Sequence, residues 1–221
     1  MMAARLLCLP ILATALAAQG AIAAPPRLFE IDPHAFQLVR QESGPTNYYS
    51  VVESPDGAYI HGAYQPPEET AVLGYSFPED QRRTVAKIRW RWRAVVLPER
   101  GDECVPERAD SAATVYVTWK RGARWYSLKY VWSSVSPKGA VCDKKSNPLR
   151  VQETIIVESG APLNRWKTVE LDPDAEFRKH FEGGDPKAEV PDLSGIGIMV
   201  DGDQTQSPSE ADFGSFAYQA R

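Results

Sequence analysis

Histidine and cysteine are scarce in this sequence, with three of each among 221 residues. His34, His61 and His180 stand in no recognisable Ser/His/Asp or Cys/His arrangement. The chain also has no HExxH motif, nucleophile elbow or glycine-rich phosphate loop. The sequence therefore argues against a catalytic triad and against phosphate-loop chemistry, and we assign no catalytic residue.

Basic runs and long apolar segments are also missing. The chain carries 25 Lys and Arg against 29 Asp and Glu, and its pI is about 5.5. A nucleic-acid partner is not expected, because nucleic-acid-binding surfaces concentrate positive charge. Beyond the N-terminus no segment is apolar for long enough to span a bilayer, so no stable membrane span is expected. The 43% hydrophobic content and six tryptophans instead indicate a folded globular chain.

The first 24 residues have the composition of a secretory signal peptide. Arg5 precedes an apolar run at 6–18, and a small-x-small sequence follows at 21–23. A membrane anchor would need about 20 apolar residues, whereas this run is shorter and is interrupted by Pro10. We therefore expect cleavage near Ala23 or Ala24 and an exported protein, periplasmic or secreted.

Removal of this leader would leave two cysteines, Cys104 and Cys142. Two cysteines in an exported chain are typical of one structural disulfide. A metal or redox pair is the alternative, but the spacing is not CxxC and no histidine lies near either cysteine. We predict the disulfide.

Strand patterns dominate the rest of the chain. Ten segments predict strands: residues 47–52, 58–64, 71–77, 85–97, 113–119, 125–133, 151–158, 166–171, 195–200 and 213–219. One helix is predicted at Asp174–Phe181, closed by Gly183-Gly184, with His180 solvated on it. Many short strands without helices between them predict an all-β fold. We expect a single antiparallel β-sandwich or jelly roll over residues 25–221, with one short helix.

The strand at 87–93 alternates strictly between two kinds of side chain. Ile88, Trp90 and Trp92 share one face, and the basic residues Lys87, Arg89, Arg91 and Arg93 share the other. One interpretation is a half-buried strand whose arginines are solvated or paired with acids. The other is that the basic face lines a site for an anion or a sugar. The sequence leaves both open.

An ordered set of motifs runs from residue 85 to the C-terminus. The first motif is IRWRWR at 88–93, which is followed by LP and Gly101-Asp102. DSAA and VYV lie at 110–117, and YVW at 130–132 precedes Pro137-x-Gly139. The last two motifs are GIGIMVDGDQT at 195–205 and ADFG at 211–214. In this set the sequence resembles DUF 3047, a family of bacterial exported domains of unknown function.

This resemblance implies an exported β-sandwich protein and assigns no activity, cofactor or catalytic residue. Family members commonly carry paired acids before the VYV strand, whereas Ala109-Asp110 retains one. The two cysteines and the loops at 99–108 and 141–148 also look particular to this chain. A role that needs both acids is therefore not carried over.

Asp201, Asp203 and Thr205 alternate directly after an apolar strand. Oxygen ligands at i, i+2 and i+4 are how a hard cation such as calcium collects carboxylates from a short segment. The pattern lacks the glutamate of an EF-hand, and Asp-Gly-Asp is equally natural as a turn whose carboxylates accept hydrogen bonds from nearby amides. The pattern thus indicates either a calcium site or a simple turn.

Asp102, Asp110, Asp201 and Asp203 all lie at the ends of predicted strands. Two carboxyl groups about 5 Å apart, or about 6.5–9.5 Å apart, would suit retaining or inverting glycoside cleavage. The alternative is that these acids cap turns and pair with Arg89, Arg91 or Arg93.

Aromatic residues crowd the strand at 125–133. Tyr126, Leu128, Tyr130 and Trp132 share the face expected to be buried, whereas Trp125 has the opposite parity. An exposed ring can stack on the apolar face of a sugar, so Trp125 is the first candidate for a binding residue.

Three functions remain compatible with these observations. The first is a non-catalytic exported module that binds carbohydrate or another polar envelope ligand through Arg89, Arg91, Arg93, Trp125 and the four aspartates. The second is a carbohydrate-active hydrolase or lyase on the same scaffold, which requires two unpaired carboxyl groups facing one cleft. The third is a periplasmic scaffold or assembly protein, which requires an exposed apolar patch or an open sheet edge.

Overall fold

The strands and helix follow the sequence pattern closely in the computed structural model, which describes residues 27–40 and 47–221. The strands are β1 Leu28–Glu30, β2 Gln37–Arg40, β3 Tyr49–Val52, β4 Tyr59–Tyr64, β5 Val72–Ser76, β6 Val85–Val96, β7 Ala113–Arg121, β8 Arg124–Ser133, β9 Lys145–Ser146, β10 Arg150–Ser159, β11 Lys167–Leu171, β12 Asp192–Met199 and β13 Ser209–Ala220. The helix α1 spans Pro173–Phe181, and short 3-10 turns occupy Pro33–Ala35 and Pro106–Arg108. All ten predicted strands and the predicted helix are present, and β1, β2 and β9 are additional.

The strands form two sheets that enclose one apolar core. The first sheet has six strands in the order β11–β6–β13–β4–β3, and β1 also pairs with β13. The second has seven strands in the order β2–β5–β12–β7–β8–β10–β9. This architecture confirms the β-sandwich. One detail departs from a purely antiparallel fold, because β10 runs parallel to β8, and a crossover of 16 residues (134–149) between them allows this direction.

Alternation along the long strands determines which side chains reach the core. On β6, Trp90 and Trp92 are fully buried, and the alternating Arg89, Arg91 and Arg93 are half-buried on the outer face. On β8, Tyr126, Leu128, Tyr130 and Trp132 are buried as predicted. The inner faces of both sheets therefore contribute tryptophans to one core, where the Trp92 and Trp132 ring centroids lie 6.1 Å apart.

Helix α1 covers the core beside β7 and β8. Asp172 caps it by accepting hydrogen bonds from the N–H groups of residues 174 and 175. Phe177 packs against Trp119 and Tyr126, with centroids 5.5 and 5.2 Å away. The expectation of a solvated His180 is wrong, because this side chain is only 6% exposed and contacts Glu153 of β10.

The disulfide between Cys104 and Cys142 is present, with Cα atoms 4.9 Å apart. It joins the segment between β6 and β7, residues 97–112, to the segment that follows β8. In residues 27–40 and 47–221, no helix combines the length and apolar character needed to cross a membrane. The predicted signal peptide at 1–24 lies outside the described residues.

Candidate functional site

An open groove of about 430 Å³ crosses the outer face of the seven-stranded sheet. Side chains of alternate residues project here in rows that run across the strands. One row, set by the strand register, is Ser76, Gly195, Thr118, Ser127 and Gln152. The next is Gly74, Gly197, Tyr116, Lys129 and Thr154. The first row consists of glycine and side chains that carry a hydroxyl or an amide, whereas the second row places the larger Tyr116 and Lys129 beside two glycines.

Glycines give the groove its depth. Gly195 and Gly197 both lie on the outer face of β12, the third strand of the sheet, and both line the groove. A Cβ atom on Gly195 would lie 2.4 Å from the carbonyl oxygen of Tyr75, whereas one on Gly197 would lie 3.4 Å from Tyr116. The close backbone approach explains why residue 195 carries no side chain.

Trp125 stands at one side of the groove and is 39% exposed, the only tryptophan among the large exposed apolar side chains of the described residues. Arg150 lies opposite it on β10, and Lys120 lies opposite it on β7. The Lys120 ammonium is 5.0 Å from the centroid of the Trp125 ring, a cation–π distance. The prediction that Trp125 faces outward therefore agrees with the structure, which adds two cationic neighbours.

A buried ion pair lies in the second row, next to Tyr116. The Lys129 ammonium donates to Oε2 of Glu103 over 2.6 Å, and both side chains are at most 7% exposed. Burial lowers the pKa of Lys129, but Glu103 and other nearby groups outweigh this effect and keep the pKa above its usual value. Because Glu103 precedes Cys104, the pair fastens the disulfide-bonded segment to the outer face of the sheet.

Three carboxylates meet beyond this ion pair. Asp110, Asp201 and Asp203 each place an oxygen within 4.8 Å of the others. Asp110 ends the segment before β7, and the other two belong to the loop between β12 and β13. Because β12 and β7 are neighbouring antiparallel strands, the end of one lies beside the start of the other. The sheet topology therefore brings these three acids together.

Few hydrogen bonds offset this concentration of negative charge. Asp110 accepts from the N–H groups of residues 204 and 205, and Asp201 accepts from the Thr70 hydroxyl at 2.8 Å. Burial raises the pKa of the Asp201 carboxyl to about 8; Lys129 lowers it, and Asp203 and Asp110 raise it. The three carboxyl groups are therefore too close and too buried for all of them to ionise readily without further positive charge.

Asp102 and Thr205 have local structural contacts instead. Asp102 accepts from the N–H of Cys104 at 3.1 Å and from the Ser136 hydroxyl at 2.5 Å, so it ties together the two disulfide-bonded segments. The Thr205 hydroxyl contacts Ser207 at 2.7 Å. Of the predicted triplet, Asp201 and Asp203 lie together, and the third carboxylate beside them is Asp110, whereas the Thr205 hydroxyl lies against Ser207.

The basic strand lies elsewhere, on the outer face of the six-stranded sheet. Arg91 and Arg93 stack on Trp166 with guanidinium carbons 5.0 and 4.8 Å from the ring centroid. Arg93 also donates to Asp212 at 2.5 Å, and Arg89 lies opposite Glu170 on β11. A pocket of about 180 Å³ lies beside Arg91 and Arg93.

The expected pairing of the four aspartates with this strand is not found in the described parts of the chain. Asp102, Asp110, Asp201 and Asp203 instead accept from amides and hydroxyls or lie in the carboxylate cluster, and Arg93 pairs with Asp212. The candidate ligand-binding residues therefore divide into four places: Trp125 at the groove, three aspartates in the cluster, Asp102 in the disulfide-bonded segment, and the arginines on the opposite sheet.

The sequence pattern of a family described as "Protein of unknown function (DUF3047)" matches residues 36–217. The chain belongs to this family. The resemblance carried by the motifs from IRWRWR to ADFG is thereby confirmed. No curated protein was found to match this DUF3047 chain.

Two of the solved structures that resemble this DUF3047 protein in fold are a xyloglucanase domain and an endoglucanase. One is the xyloglucanase domain of NopAA, a type three effector from Sinorhizobium fredii, in complex with cellobiose, at 9% identity and a TM-score of 0.47. The other is Trichoderma harzianum endoglucanase 3 from family GH12, at 11% identity and a TM-score of 0.42. Each alignment covers 90% of this chain and 99% of the other.

Several groove residues of the DUF3047 chain were missed by sequence reasoning. Gln152 lies within the predicted strand at 151–158 and Arg150 directly before it, and neither stands out in the sequence, because only the parallel pairing of β10 with β8 places them beside Trp125. The sequence did contain a signal for the floor of the groove, because Gly195 and Gly197 alternate within an apolar strand and therefore share one face.

Proposed function

We propose that this protein is an exported, non-catalytic carbohydrate-binding protein whose ligand lies across the groove on the seven-stranded sheet. The observation that carries this proposal is the exposed Trp125 ring beside a row of small polar side chains. A volume of about 430 Å³ falls within the range of small-ligand sites, roughly 300–1,000 Å³.

The chemistry of the groove suits a polyhydroxylated ligand. Sugars present apolar C–H faces and a periphery of hydroxyl groups, so they need an aromatic surface and groups that both donate and accept hydrogen bonds. Trp125 offers the first, and the hydroxyl and amide side chains of Thr118, Ser127 and Gln152 offer the second. Arg150 adds positive charge, which favours neutral or acidic glycans over cationic ones.

Binding without hydrolysis is supported by the position of the acids. Among the residues described, the groove lining contains no Asp or Glu. Glycoside cleavage uses two carboxyl groups that flank the scissile bond. The cluster of Asp110, Asp201 and Asp203 lies outside the groove lining, with its oxygens within 4.8 Å of one another.

A binding experiment on the oxidised mature protein tests the proposal. We would measure glycan binding by affinity electrophoresis and calorimetry, with a panel of neutral β-glucans, mannans and uronate-containing polysaccharides. We expect binding to at least one class, and Trp125→Ala should weaken it at least tenfold. Trp166→Ala is the matched control, because this half-buried tryptophan lies against the other sheet and its loss should leave binding unchanged.

Three outcomes would reject the proposal. Failure to bind every glycan in the panel would reject a carbohydrate ligand. Equal loss in Trp125→Ala and Trp166→Ala would show that the groove is not the site. Release of reducing sugar during the incubation would show that the protein is a hydrolase rather than a binding module.

Export is part of the proposal and has its own test. The leader at 1–24 and the Cys104–Cys142 disulfide both favour an oxidising compartment. Protein recovered from the periplasm or medium of an expressing bacterium should begin near Ala24 or Pro25. An uncleaved chain in the cytoplasm would contradict this expectation.

A further inference from the structure

The three carboxylates of Asp110, Asp201 and Asp203 lack a cationic partner. None of them forms an ion pair with Lys, Arg or His anywhere in residues 27–40 and 47–221. Asp110 and Asp201 are 0% and 5% exposed. Like charges this close repel by about 4 kcal/mol at 4 Å, even at an effective dielectric constant of 20. Positive charge from outside the chain would relieve this repulsion.

Tyr64 supplies an independent observation at the same place. Its side chain is fully buried, yet its hydroxyl has no hydrogen-bond partner in the described structure. The ring lies against Gly202, between Asp201 and Asp203 in sequence. Burial raises the pKa of Tyr64 to about 12, and the nearby charges of Asp203, Asp201 and Asp110 contribute to the rise. An unpartnered phenol therefore lies beside the cluster.

One oxygen of the cluster is also unused. Oδ1 of Asp203 is buried and has no hydrogen-bond partner in the described parts of the chain. Buried polar atoms without partners are rare, because each forfeits its interaction with water. A free carboxylate oxygen together with a free phenol fits a bound cation that carries a coordinated water.

We propose that Asp110, Asp201 and Asp203 bind a calcium ion. Calcium takes six to eight oxygen ligands at about 2.3–2.6 Å, and carboxylate oxygens within 4.8 Å of one another are close enough to share one such ion. Magnesium requires nearly ideal octahedral geometry and gives up its water reluctantly, so a buried site made of carboxylates favours calcium. The Tyr64 hydroxyl would donate to a carboxylate or accept from a water on the ion.

The ion would join two loops that the chain separates widely. Asp110 follows the disulfide-bonded segment, and Asp201 and Asp203 lie between β12 and β13. Hydrogen bonds from the N–H groups of residues 204 and 205 to Asp110, and from the N–H of Asp201 to the carbonyl of Ser111, already hold these loops together. A shared cation would fasten them further. This site does not depend on the proposed glycan groove, because its lining residues are different.

Calorimetry of the metal-free, oxidised protein tests this proposal with calcium chloride and magnesium chloride as separate titrants. We expect one calcium site per chain and weaker binding of magnesium. At a hundredfold excess over the dissociation constant, calcium should raise Tm by roughly 5–10 °C. Asp203→Asn should weaken calcium binding at least tenfold. Asp143→Asn is the control, because this exposed acid near the disulfide removes the same charge outside the cluster.

Terbium luminescence provides a second measurement that needs no variant. Excitation of a tyrosine near a bound terbium ion should give terbium emission. Calcium should displace the terbium ion and abolish this emission, whereas magnesium should not. Absence of calorimetric heat, of a Tm shift and of displaceable emission in the wild-type protein would overturn the proposal. Equal weakening by Asp143→Asn and Asp203→Asn would also overturn it, because binding would then follow net charge. Failure of glycan binding alone would leave the calcium site intact.

Discussion

Lys129 and Glu103 form a fully enclosed ion pair between the outer face of β8 and the disulfide-bonded segment, with Nζ and Oε2 2.6 Å apart. The pair lies beside Tyr116, a groove residue, whose ring centroid is 5.9 Å from the Lys129 ammonium. The edge of the proposed binding surface therefore depends on a buried charge and its single partner.

Breaking this pair should strongly destabilise the fold. Lys129→Met leaves the Glu103 carboxylate buried without its partner, and Glu103→Met leaves the Lys129 ammonium unpaired. Removal of one member of a buried pair costs about 3–5 kcal/mol. We expect each single variant to lose about this much free energy of unfolding, measured by urea denaturation.

The double variant provides the control. Lys129→Met combined with Glu103→Met removes both charges, so its loss should be smaller than the sum of the two single losses by several kcal/mol. Additive losses would contradict the view that the two charges depend on each other.

Much of the fold could be predicted because strand alternation is a local property. Trp90 and Trp92 are separated by one arginine, and a period of two alone places both rings on the same face. The cap at Asp172 and the glycines after α1 are likewise local signals, so the helix was predicted to within one residue. His180 was misjudged because Glu153, its buried partner, lies on a strand 27 residues away.

The sites were harder to predict because they depend on register and topology. The sequence places Asp110, Asp201 and Asp203 at strand ends, but their meeting requires β12 to pair with β7. Similarly, Trp125 and Arg150 face each other only because β10 runs parallel to β8. The alternation of side chains within one strand does not show which strands pair with each other, so neither contact could be predicted from it.

Removal of the disulfide should lower stability by a predictable amount. Cys104 and Cys142 are 38 residues apart, and closing a loop of that size restricts the unfolded chain by about 4 kcal/mol. We expect Cys104→Ser combined with Cys142→Ser to lose about this free energy of unfolding, measured by urea denaturation. Reduction of the wild-type protein should give the same loss. A loss below about 1 kcal/mol would show that the bridge contributes little.

The environment of His180 predicts a decrease in stability as pH rises above neutrality. Its imidazole contacts the carboxylate of Glu153 on β10 and lies 3.6 Å from that of Glu176 on α1. Lys144 lies 3.4 Å from Glu153, and the Tyr130 hydroxyl donates to Glu176. Burial lowers the pKa of His180, but the two carboxylates raise it more, so it lies above the usual 6.5.

A raised histidine pKa means that folding favours the protonated form. The stabilisation is fully present below pH 6.5 and is lost as pH rises through the pKa of the folded state. His180→Gln should remove this part of the pH dependence in urea denaturation from pH 5 to 9. His34→Gln, at an exposed histidine, should retain it. The same pH dependence in wild type and His180→Gln would assign it to another group.

The two glycines in the groove floor should respond differently to the same substitution. In Gly195→Ala the new methyl group would meet the carbonyl oxygen of Tyr75 at 2.4 Å, and a paired backbone cannot move aside without disturbing β5. Such overpacking costs about 1–3 kcal/mol. In Gly197→Ala the nearest atoms belong to the Tyr116 side chain at 3.4 Å, so stability should change by less than about 1 kcal/mol.

Urea denaturation of both variants tests this difference in stability. Glycan calorimetry on Gly197→Ala tests whether the ligand lies on the groove floor, because a methyl group there would occupy space proposed for the ligand. Equal stability of the two variants would show that the close approach of Tyr75 does not constrain residue 195. Unchanged glycan affinity in Gly197→Ala would place the ligand away from β12, nearer to Trp125 and Arg150.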